Sequence, residues 1–180
     1  FNTNLKDKNI IIYGGKGIVG GISAIMCAKE GSKCTIVGYD GITNVKKKAE
    51  EYKSRFGVDI IPADGTTDEL NSSYLPQADI IFCAARAGTQ VISEEQLKLA
   101  KNTKILADVN AVPPAGLGGV NLKDNDAEHP CGGLSIGPLT SGDIKVKTQY
   151  RMIEKMCAAN NPLYLNFEEA LTTAREILKL

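Results

Sequence analysis

The chain has 180 residues, 43% hydrophobic and 23% charged, which suits one globular domain with a sizeable core. Its 21 Lys+Arg balance 21 Asp+Glu, so there is no electrostatic case for binding nucleic acid or an anionic membrane. No apolar run is long enough to span a bilayer and no signal peptide is visible, so a cytoplasmic location is expected.

A polar lead, residues 2–8, runs into residues 10–13, Ile-Ile-Ile-Tyr. Such a short β-branched run is the composition of a strand buried on both faces of a parallel sheet. It stops at Gly14 and Gly15, and beyond them Ile18, Ile22, Ile25 and Met26 repeat at helical spacing up to Gly31. Within this strand–turn–helix, Gly15, Gly17 and Gly20 spell G-x-G-x-x-G, the fingerprint of dinucleotide-binding folds. Gly15 is expected to make the sharp turn, Gly17 to leave room for a pyrophosphate, and Gly20 to let the helix lie close on the sheet. The first-turn N–H groups and the helix dipole would then form an anion site. A glycine-rich turn without a ligand is the plainer alternative.

A second strand is predicted at residues 34–37, ending in Gly38-Tyr39-Asp40. An acid about 20 residues after the fingerprint often takes the ribose hydroxyls, and Asp40 lies in that range; its other reading is a turn and cap residue. Residues 45–56 read as a helix with Val45, Ala49, Tyr52 and Phe56 on one stripe, closed by Gly57. A third strand is expected at 58–61, ended by Pro62, and a short helix from Thr67. Residues 79–84 are predicted as a fourth strand ending on Ala84, and the following Ala85, Arg86, Ala87 and Gly88 are small apart from the arginine. Small residues at a strand's carboxyl end let a cofactor lie close to the backbone. Ser93 and Gln96 make a capping box for a helix reaching Lys101, and residues 104–109 are a fifth strand. This alternation argues for an α/β fold, a doubly wound parallel sheet of Rossmann type with helices on both faces.

The next stretch, residues 110–119, is rigid at its prolines and permissive at its glycines. Residues 124–130 read as an exposed polar segment, and its His129, the single histidine, as a loop residue rather than a general base. A sixth strand is predicted within 131–138, then a long helix with Val146, Tyr150, Ile153 and Cys157 as its apolar stripe, broken at Asn160-Asn161-Pro162. Asn166 and Glu169 cap a last helix that buries Phe167, Leu171, Ala174 and Leu178. These two helices pack on the sheet or help to hold a second domain. The five cysteines are scattered, odd in number and without C-x-x-C, the usage of reduced cytoplasmic thiols. No metal motif, nucleophile elbow or Walker loop is present, and acid–base candidates are few, which favours positioning and a redox cofactor over proton transfer.

The segment from Ala107 to Gly119, Ala-Asp-Val-Asn-Ala-Val-Pro-Pro-Ala-Gly-Leu-Gly-Gly, is the most specific signature. With Gly14 to Gly20 and Cys131 to Gly137 it resembles the NAD(P)-binding domain of methylene-tetrahydromethanopterin dehydrogenases, some of which act on methylene-tetrahydrofolate. The resemblance covers nearly the whole chain. It implies reversible hydride transfer from a pterin methylene bridge to a nicotinamide, giving a methenyl cation in one-carbon metabolism without a general base. It also implies that Gly15, Lys16, Gly17, Ile18 and Val19 line the phosphates, that Ala84, Ala85 and Arg86 pass along the cofactor, and that Asn110 lies near the nicotinamide. No catalytic side chain or metal ligand is implied. NADP-using members carry basic residues where this chain has Tyr39 and Asp40, so the cofactor is NAD or NADP with a lean towards NAD. The family's pterin-binding domain precedes the one represented here. Residues 1–180 are therefore expected to be one dinucleotide-binding domain of a larger enzyme, a fragment or processed product beginning at Phe1, completed by an N-terminal domain or by homo-oligomerisation. The rivals are another Rossmann oxidoreductase, such as a shikimate-dehydrogenase-like enzyme, and a non-catalytic nucleotide-binding subunit.

Overall fold

Alternation along β1 (Asn9–Tyr13) sets the architecture. In the computed structural model, which describes residues 4–180, Ile10 and Ile12 point to one face of the sheet and Ile11 and Tyr13 to the other. Asn2 and Thr3 of the polar lead lie outside the described residues. On the first face, Ile10 and Ile12 join Cys34 and Ile36 of β2 (Lys33–Gly38) beneath α1 (Ile18–Lys29) and α2 (Ile42–Phe56). On the second, Ile11 and Tyr13 meet Leu75, Ile92, Leu97, Leu106 and Leu117. Each such fully buried side chain contributes roughly 1.5–3 kcal/mol, so the central strands carry both cores.

The remaining strands are β3 (Ile61–Asp64), β4 (Ile80–Cys83), β5 (Ile105–Asp108), β6 (Asn125–Glu128) and β7 (Leu134–Ile136). Their order is β3-β2-β1-β4-β5-β7-β6, with every pair parallel except β6 against β7. The expected doubly wound sheet is thus present, with helices on both faces, those of the second face being α3 (Asp68–Ser73), a 3-10 turn and α4 (Glu94–Leu97).

Several sequence expectations are corrected. The third strand begins at Ile61, where it was expected to end, and includes Pro62 opposite Ile36. β3 is an edge strand, where a missing N–H costs no ladder bond on the open side, so proline does not stop it. Residues 125–128 form the antiparallel edge strand β6, with a bulge between Asn125 and Ala127. Its side chains are mostly exposed, so no apolar alternation marks it. α4 stops at Leu97 rather than Lys101. In α1 the buried face is Gly20, Gly21, Ala24 and Ile25, whereas Ile18 is 83% exposed.

The last two helices divide their roles. α6 (Phe167–Leu178) lies over the ends of α1 and α2, with Phe167 edge-to-face on Phe56 at 5.7 Å and Arg175 on Glu30 at 3.1 Å. α5 (Pro138–Ala158) has α6 as its main partner and meets it through Lys155, which donates to Thr173 Oγ1 at 3.1 Å and pairs with Glu176. Its predicted apolar stripe does not pack on the sheet: Val146, Tyr150, Ile153 and Cys157 are all exposed. Helical periodicity reports which face is apolar, not what covers it.

Candidate functional site

All parallel strands end on one rim of the sheet, and the strand order reverses between β1 and β4. At such a switch point the chains leaving adjacent strands diverge and open a crevice. Here the crevice has a volume of about 570 Å³. Its walls are Tyr13, Gly14, Lys16 and Gly17 after β1, Val37, Gly38 and Tyr39 at the end of β2, and Ala84, Ala85 and Arg86 after β4. Asp68, Asn71, Thr89, Gln90 and Val91 complete it.

The glycines of the first turn are fixed by close approach. Gly14, with φ +79°, makes the sharp turn expected of Gly15; a Cβ there would lie 2.3 Å from the Ala84 carbonyl oxygen. Gly15 instead lies against β2, where a Cβ would meet Ile36 at 2.3 Å. A Cβ on Gly20 would come 2.5 Å from the Gly14 oxygen, which is the close helix contact expected of it. Gly17 is the N-cap of α1, has no side chain to cap the helix, and would place a Cβ within 4 Å of only the Gly14 oxygen at 3.3 Å. No acid stands in the first turn. The first N–H groups of α1 are therefore left to an outside acceptor, with the positive end of the helix dipole behind them. By contrast, α4 and α6 are each closed by a full capping box, Ser93 with Gln96 and Asn166 with Glu169.

The other site residues expected from the sequence fall into two groups. Lys16, Gly17, Tyr39, Ala84, Ala85 and Arg86 line the crevice. Gly15, Ile18, Val19, Asp40 and Asn110 do not. Ile18 and Val19 are exposed beside its mouth on the first turn of α1. The Asp40 carboxylate does not cap α2; it is ion-paired with Lys16, whose ammonium holds the Asp40 carboxyl below the usual carboxylate range. The turn at Asp40 is held through its carbonyl, which accepts from Asn44 Nδ2 at 2.9 Å. Asn110 is buried behind the wall: its Oδ1 accepts from Val112 N–H at 3.0 Å and Gly88 N–H at 3.3 Å, and its Nδ2 donates to Pro114 O at 3.0 Å.

Sequence reasoning gave no role to Asp108 or to the crevice side of α3. Asp108 is 1% exposed, and its two oxygens accept from Asn110 N–H at 2.8 Å and Leu117 N–H at 2.9 Å, pinning both ends of the proline loop. An acid at the last position of an apolar strand is the signal that marks it. Tyr13 forms the floor and donates from its hydroxyl to Asn71 O at 2.7 Å; burial keeps its phenol far above the ordinary value and so protonated. Asp68 and Asn71 could have been found as the polar residues opening the helix after β3.

His129, expected to be exposed, is 4% exposed. Its Nε2–H donates to Gly118 O at 2.9 Å, and its Nδ1 accepts from Cys131 N–H at 3.2 Å. A Cβ on Gly119, at φ +80°, would stand 2.6 Å from His129 Nε2, so only glycine fits there. The imidazole is a brace between the end of the proline loop and the β6–β7 turn. Among the described residues, no group of three or more His, Cys, Asp or Glu could hold a metal ion, and no helix is long and apolar enough to cross a membrane.

The resemblance read from the sequence holds in comparison with known proteins. The chain is 42% identical over 178 residues to an NAD(P)-dependent methylenetetrahydromethanopterin dehydrogenase of Methylorubrum extorquens, covering 98% of this chain and 60% of that protein. It is 26% identical over 174 residues to the bifunctional protein MdtA of the same organism, covering 97% of this chain and 59% of that one. The chain thus spans about three fifths of the length of the curated relatives it matches. No family model matches. Among solved structures, a shikimate 5-dehydrogenase from Listeria monocytogenes aligns with a TM-score of 0.51 at 18% identity, covering 76% of this chain and 47% of that one, which shows a shared Rossmann-like fold.

Proposed function

We propose that the chain is the NAD(P)-binding part of a methylene-tetrahydromethanopterin or methylene-tetrahydrofolate dehydrogenase, a cytoplasmic enzyme of one-carbon metabolism. The observation that carries the reading is 42% identity, over almost the whole chain, to a dehydrogenase of that name. The crevice supports it. An uncapped helix start, a glycine opposite the pyrophosphate position and small residues after β4 are what a dinucleotide requires at a switch point.

In this reading the backbone from Gly15 to Val19 receives the pyrophosphate, and the side chains of Ile18 and Val19 border it. Tyr39 offers an exposed ring beside the adenosine, with Asp40 and Lys16 at its ribose. Ala84 and Ala85 let the cofactor lie against the strand end, and Arg86 flanks it. Asn110 acts at one remove, holding the Gly88 turn and the proline loop at the nicotinamide end. The bound nicotinamide supplies the hydride acceptor for a pterin methylene group. Holding two rings at reacting distance is the main catalytic demand. The absence of a free histidine from the crevice is consistent with that demand, since both ring nitrogens of His129 are engaged in bracing.

The rest of the cleft would come from an N-terminal pterin-binding domain or from a second copy. The exposed Val146, Tyr150 and Ile153 on α5 support a further body packing on this chain, because the helix turns its apolar side away from the sheet. The test is turnover. This chain alone should bind NAD or NADP but give no enzymatic reduction of either with methylene-tetrahydromethanopterin. A fusion joining to it the part of the Methylorubrum relative that it does not match should restore reduced-nicotinamide absorbance. Full turnover by the chain alone would overturn the two-domain reading, and a fusion that binds cofactor yet reduces none with either pterin would overturn the substrate assignment.

A further inference from the structure

At the β2 side of the crevice two opposite charges meet in the place where the two cofactors differ. Lys16 leaves the first glycine turn, crosses Gly38 and ends on the Asp40 carboxylate. The stem lies close on the strand end: a Cβ on Gly38 would stand 3.6 Å from Lys16 Cδ and 3.5 Å from Asp40 Oδ1. Lys16 lines the crevice and Asp40 does not, so of the two charges it is the lysine that borders the space where a ribose would lie.

We infer that Lys16 is a movable counter-ion that sets cofactor choice, staying on Asp40 beside a ribose 2′-hydroxyl and moving to a 2′-phosphate when one is present. This rests on the dinucleotide reading above. Alone, Asp40 would exclude a 2′-phosphate by like-charge repulsion. Paired with Lys16 it presents a neutral lip that admits both cofactors. The exchange is easy because the two side chains keep 26% and 34% of their surface, and a hydrated surface pair is worth little. Lysine suits this role because its ammonium is a point charge on a flexible stem with three donors, so it need not match a fixed fork. The Asp40 backbone carbonyl is tied to Asn44 Nδ2 independently of Lys16. The other cation lining the crevice, Arg86, follows β4, on the far side of β1 from β2, and makes no ion pair among the described residues. It is therefore placed away from the adenosine ribose.

Calorimetric titration of NAD and of NADP into the chain and its variants tests this. Lys16→Met should weaken NADP more than NAD, shifting the ratio of the two dissociation constants about tenfold or more. Asp40→Asn should strengthen NADP several-fold, and Arg86→Gln should leave the ratio of the two dissociation constants unchanged. NADP binding should be the more salt-sensitive of the two in wild type, and Lys16→Met should remove that difference. Equal losses for both cofactors in Lys16→Met, or an unchanged ratio, would overturn the selector while leaving the dinucleotide site standing. A ratio controlled by Arg86→Gln instead would do the same. Failure of wild type to bind either cofactor would overturn the site itself and the selector with it.

Discussion

Two glycine-rich loops follow neighbouring parts of the sheet, and they treat their backbone polar groups in opposite ways. The loop from Gly14 to Gly20 leaves the first N–H groups of α1 without a side-chain cap, at the edge of the crevice that Gly14, Lys16 and Gly17 line. The loop from Asn110 to Gly119 is closed on itself: Asp108 takes two of its N–H groups, Asn110 spans from Gly88 to Pro114, and His129 holds Gly118. Glycine therefore marks close approach in both loops, but only in the first is the approaching partner left to be a ligand. The second loop packs behind the crevice and lines none of it. A glycine-rich stretch becomes a binding loop when its donors are left unpaired.

This contrast can be broken at the second loop first, where the expected effect is largest. Asp108→Leu removes the acceptor of two buried N–H groups and should cost about 3 kcal/mol of unfolding free energy, seen as a lower urea midpoint. A loss under about 1 kcal/mol would mean that the loop does not depend on this carboxyl group. His129→Ala should cost about 2 kcal/mol through two lost hydrogen bonds and the space left beside Gly119, with cofactor affinity unchanged. A large loss of affinity in a stably folded His129→Ala would move the imidazole from brace to site.

The first loop should respond in affinity rather than stability. Gly17→Val puts a side chain where the pyrophosphate is proposed to lie, so cofactor affinity should fall at least about tenfold, or about 1.4 kcal/mol, while the urea midpoint holds. Unchanged binding by a folded variant would take the pyrophosphate out of this turn. The smallest signal is chemical. Cys83 lies under the second loop, where a Cβ on Gly116 would be 2.4 Å from its Sγ, and burial with the nearby Asp108 pushes its thiol up to about 12. The thiolate is the reactive form, so Cys83 stays inert at neutral pH and gains reactivity only as pH approaches that value. The exposed Cys157 should label with iodoacetamide first. Prompt labelling of Cys83 at neutral pH would show that the second loop opens.

The central fold was legible because its strands are buried on both faces and read as unbroken apolar runs. β1, β2, β4 and β5 announce themselves in this way, and the glycine turn between β1 and α1 follows from its setting. The edges were less legible. β6 has polar side chains and β3 contains Pro62, so neither carries the pattern that marks a buried strand. The burial of His129 was hidden because a polar segment predicts exposure, whereas its burial depends on the Gly118 carbonyl, brought to it from the proline loop, and on the nearby Cys131 N–H. The stripe on α5 is legible as apolar, yet its covering cannot be inferred from one helix. At the site, backbone features were visible in the glycine spacing; the pairing of Lys16 with Asp40 was not, since it joins residues 24 apart through a fold-made approach.

The unmarked edges have a consequence for how copies of this chain behave towards one another. An open strand edge is a template on which another chain can add a strand. At one end of this sheet Pro62 removes a donor from the exposed ladder. At the other, β6 is four residues long, bulged, and carries Asp126 and Glu128, with Asp126 in a left-handed conformation. Neither margin offers a flat, regular row of donors and acceptors. Concentrated solutions of the folded chain should therefore resist growth into extended β-sheet aggregates, and self-association should proceed through helix faces instead.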